Sequence, residues 1–539
     1  MQMSDNRFPR RYFFYGTLLA GAIPRGGFGS TPSLKAIGYK SPNEKLNLAA
    51  IGAGGQPFND LRAAEANFEN VVALADVDWD RGAQGFERRP KATKYKDYRQ
   101  MLDKQGKEID AVVIGTPDHM HATAALACMQ LGKHVYVEKP LTRTAWEARF
   151  LAQAAEKYKV ATQMGNQGYS HDATRVACEI FWSGEIGEVK EVHAWHGNPG
   201  WPQGMQTIPA PTAVPANLDW DLWLGGAAAR PFTAGDADYK AYADKFMNGR
   251  AEFGFYLPFN WRGFPDFGST LFGDWGVHIL GPANWALNLS PESLISVECT
   301  KRETTSSITY PVKNAVTYEF GARGNLPPVT VYWSDSIQGD AYLPPGMSVE
   351  DARKIPGQGP QVGPVGRGGR AGGPGGGRAA AAPGTPGAPD APGAPPQGRG
   401  PGGPGGRGPQ GTGYNLIFVG SKGYMGTSGR GEGVGLLPGS KWADYQLPNA
   451  YLQRSPGASI GDNHGAHCRD WIRACKGGPA ACSNFSIAGP YTEWLVLGAV
   501  ATHYDGKLLW DNARMEFTNN KEATKWIKPI FRKGWEPKL

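Results

Sequence analysis

Leu46-Asn47-Leu48-Ala49-Ala50-Ile51-Gly52-Ala53-Gly54-Gly55-Gln56 is the stretch that decides the fold. A short apolar run breaks into glycines, and a helix-forming stretch over residues 57–68 follows at once. A buried strand that turns on Gly-x-Gly into a helix opens a βαβ unit. Gly52 permits the tight turn. Gly54 lets a pyrophosphate approach the backbone, with the helix N-terminus facing it and Gly55 and Gln56 beside it. The third glycine of G-x-G-x-x-G would stand at Pro57, so the motif is incomplete.

Outward from that stretch the pattern repeats. Val71–Val77, Ile109–Gly115, His134–Val137 and Val160–Met164 read as further buried strands, with helices at His119–Leu131 and 143–158 between them. Strands alternating with helices predict a parallel sheet, here one doubly wound Rossmann domain over 41–170. Asp76 closes the second strand, where a carboxylate accepts hydrogen bonds from ribose hydroxyls. It also repels a 2′-phosphate, which favours NAD over NADP.

Beyond residue 170 the texture changes. Val189–Trp195, Leu294–Thr300, Ala315–Phe320, Val329–Trp333 and the run from Tyr414 read as strands, with helices at 272–287, 464–475 and 490–503. This predicts an α+β domain with a large open, mostly antiparallel sheet, built from 171–355 and 414–539. Between them, 23 of the 58 residues at 356–413 are Gly and 13 are Pro. Such a segment buries too little surface to offset its ordering entropy, so it reads as a disordered Gly/Pro/Arg-rich insertion.

The chain has 539 residues and a formal charge of +7. Arg7, Arg10, Arg11 and Arg25 against Asp5 place +3 in residues 1–30, and five arginines against Asp390 place +4 in 356–413. The remainder is neutral, which argues against a nucleic-acid binder. Arg10-Arg11-Tyr12-Phe13 and the modest apolar stretch after it resemble a twin-arginine export signal, so residues 1–40 read as an export signal or flexible arm, and the protein as periplasmic or otherwise exported, with a cytoplasmic protein as the alternative. No stretch reads as an integral membrane segment. The six cysteines form no CxxC pair and read as buried small hydrophobes.

The remaining motifs sit at strand ends. Thr116-Pro117-Asp118-His119-Met120-His121 follows the third strand, Glu138-Lys139-Pro140 the fourth, and Asn166-Gln167 the fifth. Open parallel sheets bind ligands at that edge. Asp274 and His278, four residues apart, share one face of a helix. Oxidising a carbinol is easier when the hydroxyl proton leaves in the same step, and His is the natural base near neutral pH. His464, His467 and Cys468 do not converge readily on one ion from a single helix, so no metal is expected.

IGAGGQ, LADVD, GTPDHMH and EKP, with Gly273-Asp274-Trp275-Gly276-Val277-His278 further on, together resemble the Gfo/Idh/MocA family of glucose–fructose oxidoreductases and inositol dehydrogenases. The longer 197–268 region and the 356–413 insertion depart from it. The resemblance implies bound NAD and an oxidoreductase acting on a sugar, glycoside or cyclitol. It implies His278 as the base, with Lys139 and Asp274 holding hydroxyls. It implies cofactor contacts from Gly52, Gly54, Gly55, Gln56, Asp76, Thr116, Pro117, His121, Glu138, Lys139 and Asn166, and a homo-oligomer. It weakly implies that His464 reaches the site. Trp261-Arg262 and the neighbouring tryptophans read as a sugar platform or as core. A redox-neutral glycoside hydrolase or lyase on tightly bound NAD, and a non-catalytic cofactor-binding scaffold, are the competing readings.

Overall fold

Ala-Val-Val-Ile at 111–114 is apolar at every position and buried at every position, as a strand covered on both faces must be. It is β4 of a six-stranded parallel sheet: β1 (Asn47–Ile51), β2 (Asn70–Ala75), β3 (Thr93–Tyr95), β4 (Ala111–Ile114), β5 (His134–Val137) and β6 (Thr162–Met164), in the order β3-β2-β1-β4-β5-β6. That is the dinucleotide-binding order, with its crevice at the β1/β4 switch. The computed structural model describes residues 45–197, 200–247, 254–335, 341–353, 413–455 and 463–539. The expected arm at 1–40 and, but for Gly413, the expected insertion at 356–413 lie outside the described residues.

One strand more is present than the apolar runs predict. β3 is Thr-Lys-Tyr at the sheet edge, with two of its three residues exposed, so it leaves no hydrophobic signal. Helix α1 (Gln56–Glu65) starts at Gly55 and carries Pro57 in its first turn, where its missing N–H costs nothing. Pro57 fills the place of the third motif glycine because the space is yielded from the other side. A Cβ on Gly115 would stand 2.1 Å from Pro57 Cγ, so glycine at 115 lets helix and strand close.

The second sheet has nine strands: β7 (Val189–His196), β8 (Leu294–Glu303), β9 (Lys313–Phe320), β10 (Val329–Asp335), β11 (Leu416–Gly420), β12 (Tyr424–Ser428), β13 (Gly433–Leu437), β14 (Lys507–Asp511) and β15 (Glu516–Phe517). Their order is β13-β12-β11-β7-β10-β9-β8-β14-β15. Every neighbouring pair is antiparallel except β7–β10. β9 alternates strictly, burying Asn314, Val316, Tyr318 and Phe320.

Three helices bind the sheets together. α2 (Ala145–Tyr158) has a capping box, Thr144 and Glu147. α3 (Asn463–Cys475) sends Cys468, Trp471 and Ile472 into the core of Leu48, Leu61, Leu74 and Tyr136, so the late chain packs beneath the first sheet. α4 (Phe485–Ala501) starts earlier than residue 490, because Asn484 caps it and Pro490 is accommodated inside. It is buried almost throughout, between α2 and the nine-stranded sheet. Gly489 admits α2, since a Cβ there would meet Ala152 Cβ at 2.8 Å. Arg149 pairs with Glu493 across the same contact. Among the described residues no helix is long and apolar enough to cross a membrane.

The expected helix over 272–287 is broken. Phe272–Gly276 forms a π-helical turn, Val277–Ile279 a single α turn, and Gly281–Ala286 a short helix. Gly273 explains the widening: a Cβ there would stand 2.1 Å from Ser269 Oγ and 2.7 Å from Pro140 Cγ. The turn is pressed onto the end of β5, and π turns of this kind re-aim side chains at functional sites.

Candidate active site

The glycine turn after β1 is a cradle that side chains would fill. Gly52 has φ 91°, and a Cβ on it would stand 2.9 Å from the Gly115 carbonyl oxygen. A Cβ on Gly54 would stand 2.0 Å from the Arg81 carbonyl oxygen. The Arg81 guanidinium lies over Gly55, with Nη2 only 2.6 Å from where a Cβ would be. Asp76 closes the cradle: its carboxylate accepts from Ala53 N at 2.8 Å and Asp78 N at 3.0 Å. Burial raises its pKa to about 6, so it is still ionised at neutral pH. Gln56 turns away from this turn, to His464 at 2.7 Å and Asp60 at 3.2 Å.

The reaction end is assembled from β4, β5, β6 and the π turn. Lys139 Nζ donates to Asp274 Oδ1 at 2.5 Å and to the Asp274 carbonyl at 3.1 Å. Arg262 Nε donates to the same Oδ1 at 3.0 Å, and its guanidinium lies 4.1 Å from the Trp261 ring centre. Burial alone would raise the Asp274 pKa, but Lys139 and Arg262 outweigh it and hold this carboxylate well below the usual range. Asp274 is thus locked ionised, spanning two cations.

His278 is 3% exposed, and neither ring nitrogen meets a hydrogen-bond partner in the protein. Burial, with the charges of Arg430 and Lys139, pushes its pKa well below that of ordinary histidine. The ring is therefore neutral and offers one lone-pair nitrogen. Asn166 is fully buried with both amide atoms unpartnered. Buried polar groups are seldom left in this state unless a ligand completes them. Glu138 accepts from Gln167 at 3.3 Å and Lys139 N at 3.3 Å, and burial raises its pKa to about 8.

Some predicted contacts are used elsewhere. Both nitrogens of His121 face carbonyl oxygens, Pro140 at 2.9 Å and Thr116 at 2.9 Å. That ring ties the Thr116-Pro117 loop to the Lys139-Pro140 loop, with no nitrogen left for a ligand. His464 does reach the neighbourhood from the late chain, where it meets Asp60 at 2.5 Å on the first helix. Most of the tryptophan cluster is core: Trp220, Trp223 and Trp261 pack with Tyr256, Phe264 and Phe267. Trp275 is only half-buried; it stacks with His196, at 4.4 Å between ring centres, and has the Arg430 guanidinium 5.4 Å from its own ring centre.

Two site residues escaped the sequence reading. Asp118 lay inside the quoted GTPDHMH run, yet nothing in the run marks which residue turns inward. It is 3% exposed, holds Ser269 N at 3.3 Å and Oγ at 3.2 Å, and keeps one oxygen unpartnered. Burial raises its pKa to about 7. Arg430 sits in a Gly-Arg-Gly turn that reads as an ordinary hairpin. Among the described residues no group of three or more His, Cys, Asp or Glu side chains is placed to hold a metal ion.

Residues 46–166 match the Gfo/Idh/MocA family, described as an oxidoreductase family with an NAD-binding Rossmann fold. Inositol 2-dehydrogenase 2 of Saccharopolyspora erythraea is 27% identical over 185 residues, 34% of this chain and 54% of that protein. Inositol 2-dehydrogenase 1 of the same organism is 33% identical over 157 residues, 28% of this chain and 46% of that protein. The chain thus spans about half the length of these curated relatives. A levoglucosan dehydrogenase solved with NADH and levoglucosan aligns at TM-score 0.48 and 15% identity, over 86% of this chain and 99% of that one.

Proposed function

We propose that this chain, whose residues 46–166 match the Gfo/Idh/MocA oxidoreductase family, is an NAD-dependent enzyme interconverting a ring carbinol and a ketone of a sugar or cyclitol. The observation that carries the reading is His278: buried, neutral, with both nitrogens unpartnered, beside the Lys139–Asp274–Arg262 cluster. The inositol dehydrogenase names of the relatives support the substrate class. The glycine cradle and the unpartnered Asn166 amide fit a dinucleotide, which they would hold through its pyrophosphate and through hydrogen bonds to the amide.

Bound NAD supplies the hydride acceptor for oxidation and, reduced, the donor for the reverse. The chain's residues manage the proton. The neutral His278 takes the hydroxyl proton as the carbinol C–H gives up its hydrogen with the bonding pair, leaving a carbonyl. Lys139 spends two donors on Asp274 and keeps a third for the developing alkoxide, which its charge stabilises. Asp274 positions Lys139. Asp76, ionised and fixed to the glycine turn, favours a free ribose 2′-hydroxyl and hence NAD over NADP.

The test is His278→Gln, assayed for NADH production against a panel of sugars, sugar acids and inositols. Turnover should fall by about 10²- to 10⁴-fold, the usual worth of a positioned base, with NADH affinity unchanged. Turnover at the wild-type rate would remove His278 from the mechanism.

A further inference from the structure

The reaction end holds more positive charge than its own carboxylates answer. Lys139 and Arg262 both bind Asp274 Oδ1. Arg430 has no carboxylate partner among the described residues; it rests on the Trp275 ring, with its charge felt by His278, His171 and His464. Glu432, two residues on, is exposed and folds toward Gly429, where a Cβ would stand 3.0 Å from its Oε2. Glu138 and Asp118 lie nearby, and burial favours the protonated form of both.

This arginine is not a loose surface group. Its turn joins β12 to β13, with Gly429 at φ 45° and Gly431 at φ 75° on either side. Gly431 N donates to the Ser428 carbonyl at 2.8 Å. The Arg430 carbonyl is pressed onto Gly168, where a Cβ would stand only 2.1 Å away, just after Asn166. The backbone is therefore fixed against the loop that carries the unpartnered Asn166 amide. A half-buried guanidinium held this way beside an unpartnered base is half of an ion pair.

Building on the oxidoreductase reading, we propose that Arg430 binds a substrate carboxylate, and that the enzyme acts on an acidic sugar or cyclitol that keeps its ring, such as a uronic acid, in preference to its neutral counterpart. A carboxylate fits better than a phosphate. One guanidinium is left unengaged, which matches a monoanion in a bidentate pair, whereas a dianion calls for several free donors. The pairing also explains the Trp275 ring beneath the guanidinium: it limits the arginine's freedom before substrate arrives. Arg430 acts on substrate choice, and His278 keeps the proton step.

The experiment compares kcat/KM for glucuronate, galacturonate, glucose, galactose, myo-inositol and glucose 6-phosphate in the wild type, Arg430→Gln and Arg430→Lys. It is paired with binding of the same compounds to the NADH complex, read by cofactor fluorescence. The wild type should prefer an acid over its neutral counterpart. Arg430→Gln should cut that preference on the order of 10- to 100-fold, the usual worth of a charge-assisted hydrogen bond, and Arg430→Lys should restore part of it. Equal or better turnover of neutral sugars, a preference for the phosphate, or a preference that survives Arg430→Gln overturns the inference and leaves the oxidoreductase reading standing. Arg430-dependent binding of the acids without turnover of any compound supports the anion site and overturns the oxidoreductase reading. No binding and no turnover overturns both.

Discussion

Replacing Asp118 by Asn removes one buried titration while keeping the shape of the side chain. Asp118 is 3% exposed and tied to Ser269 through one oxygen. Burial raises its pKa from 3.8 to about 7, against the pull of Arg262 and Lys139. Between those two values the folded chain keeps this proton and the unfolded chain has lost it. The folded state binds more protons there, so stability falls as pH rises through the window. A separation of about three units is worth about 4 kcal/mol in total, of which about 2.5 kcal/mol falls between pH 5 and pH 8. The variant has no such titration. Its stability relative to the wild type should therefore grow by about 2.5 kcal/mol from pH 5 to pH 8 and stay level above pH 8. Asp76 and Glu138 titrate in both proteins and cancel in the difference. Urea unfolding followed by tryptophan fluorescence at a series of pH values measures it. Parallel stability curves for the two proteins would refute the reasoning, because Asp118 would then ionise normally in the fold.

Two further perturbations probe the cofactor end. Gly54→Ala places a methyl 2.0 Å from the Arg81 carbonyl oxygen, so the turn must open; fluorescence titration should show NADH affinity reduced by about tenfold or more. Asp76→Ser removes the charge that accepts from Ala53 and Asp78 and that would face the ribose of a bound dinucleotide; steady-state kinetics should show the ratio of NADP to NAD efficiency rising by about tenfold or more.

The alternation of strands and helices in the first domain was readable because its evidence is local. β1, β2, β4 and β5 lie in largely apolar runs that must be buried, and each announces itself, while β6 is Thr-Gln-Met at the end of the Val160–Met164 stretch. β3 escaped because a short edge strand owes nothing to hydrophobicity. The departure at Pro57 looked like damage to the motif. It is an exchange of space with Gly115, a residue 58 positions away that no window on the motif contains. The π turn at Phe272–Gly276 was hidden for the same reason: Gly273 gives up its side chain to Ser269 and Pro140, which arrive from other segments.

The site shows where pattern reading stops most sharply. His278 and His464 are the same residue type in one neighbourhood, and burial alone would lower the pKa of both. His464 has Asp60 at 2.5 Å, and this partner outweighs burial, so its pKa is raised. His278 has no partner and faces Arg430 and Lys139, so its pKa drops far below the ordinary value. A proton at His464 contributes stability that is present at low pH and lost as pH rises through its raised value; His278 stays neutral across the working range. The sequence places a histidine four residues after Asp274, but it cannot say which of two histidines is a free base. That depends on whether a carboxylate or a guanidinium stands opposite, and here both come from segments remote in the chain. Asp60 lies on the first helix and Arg430 in the hairpin turn after the Gly/Pro-rich stretch. The protonation state that would allow His278 to act as a base is therefore a property of the assembled fold, set first by burial and then by the cations around it.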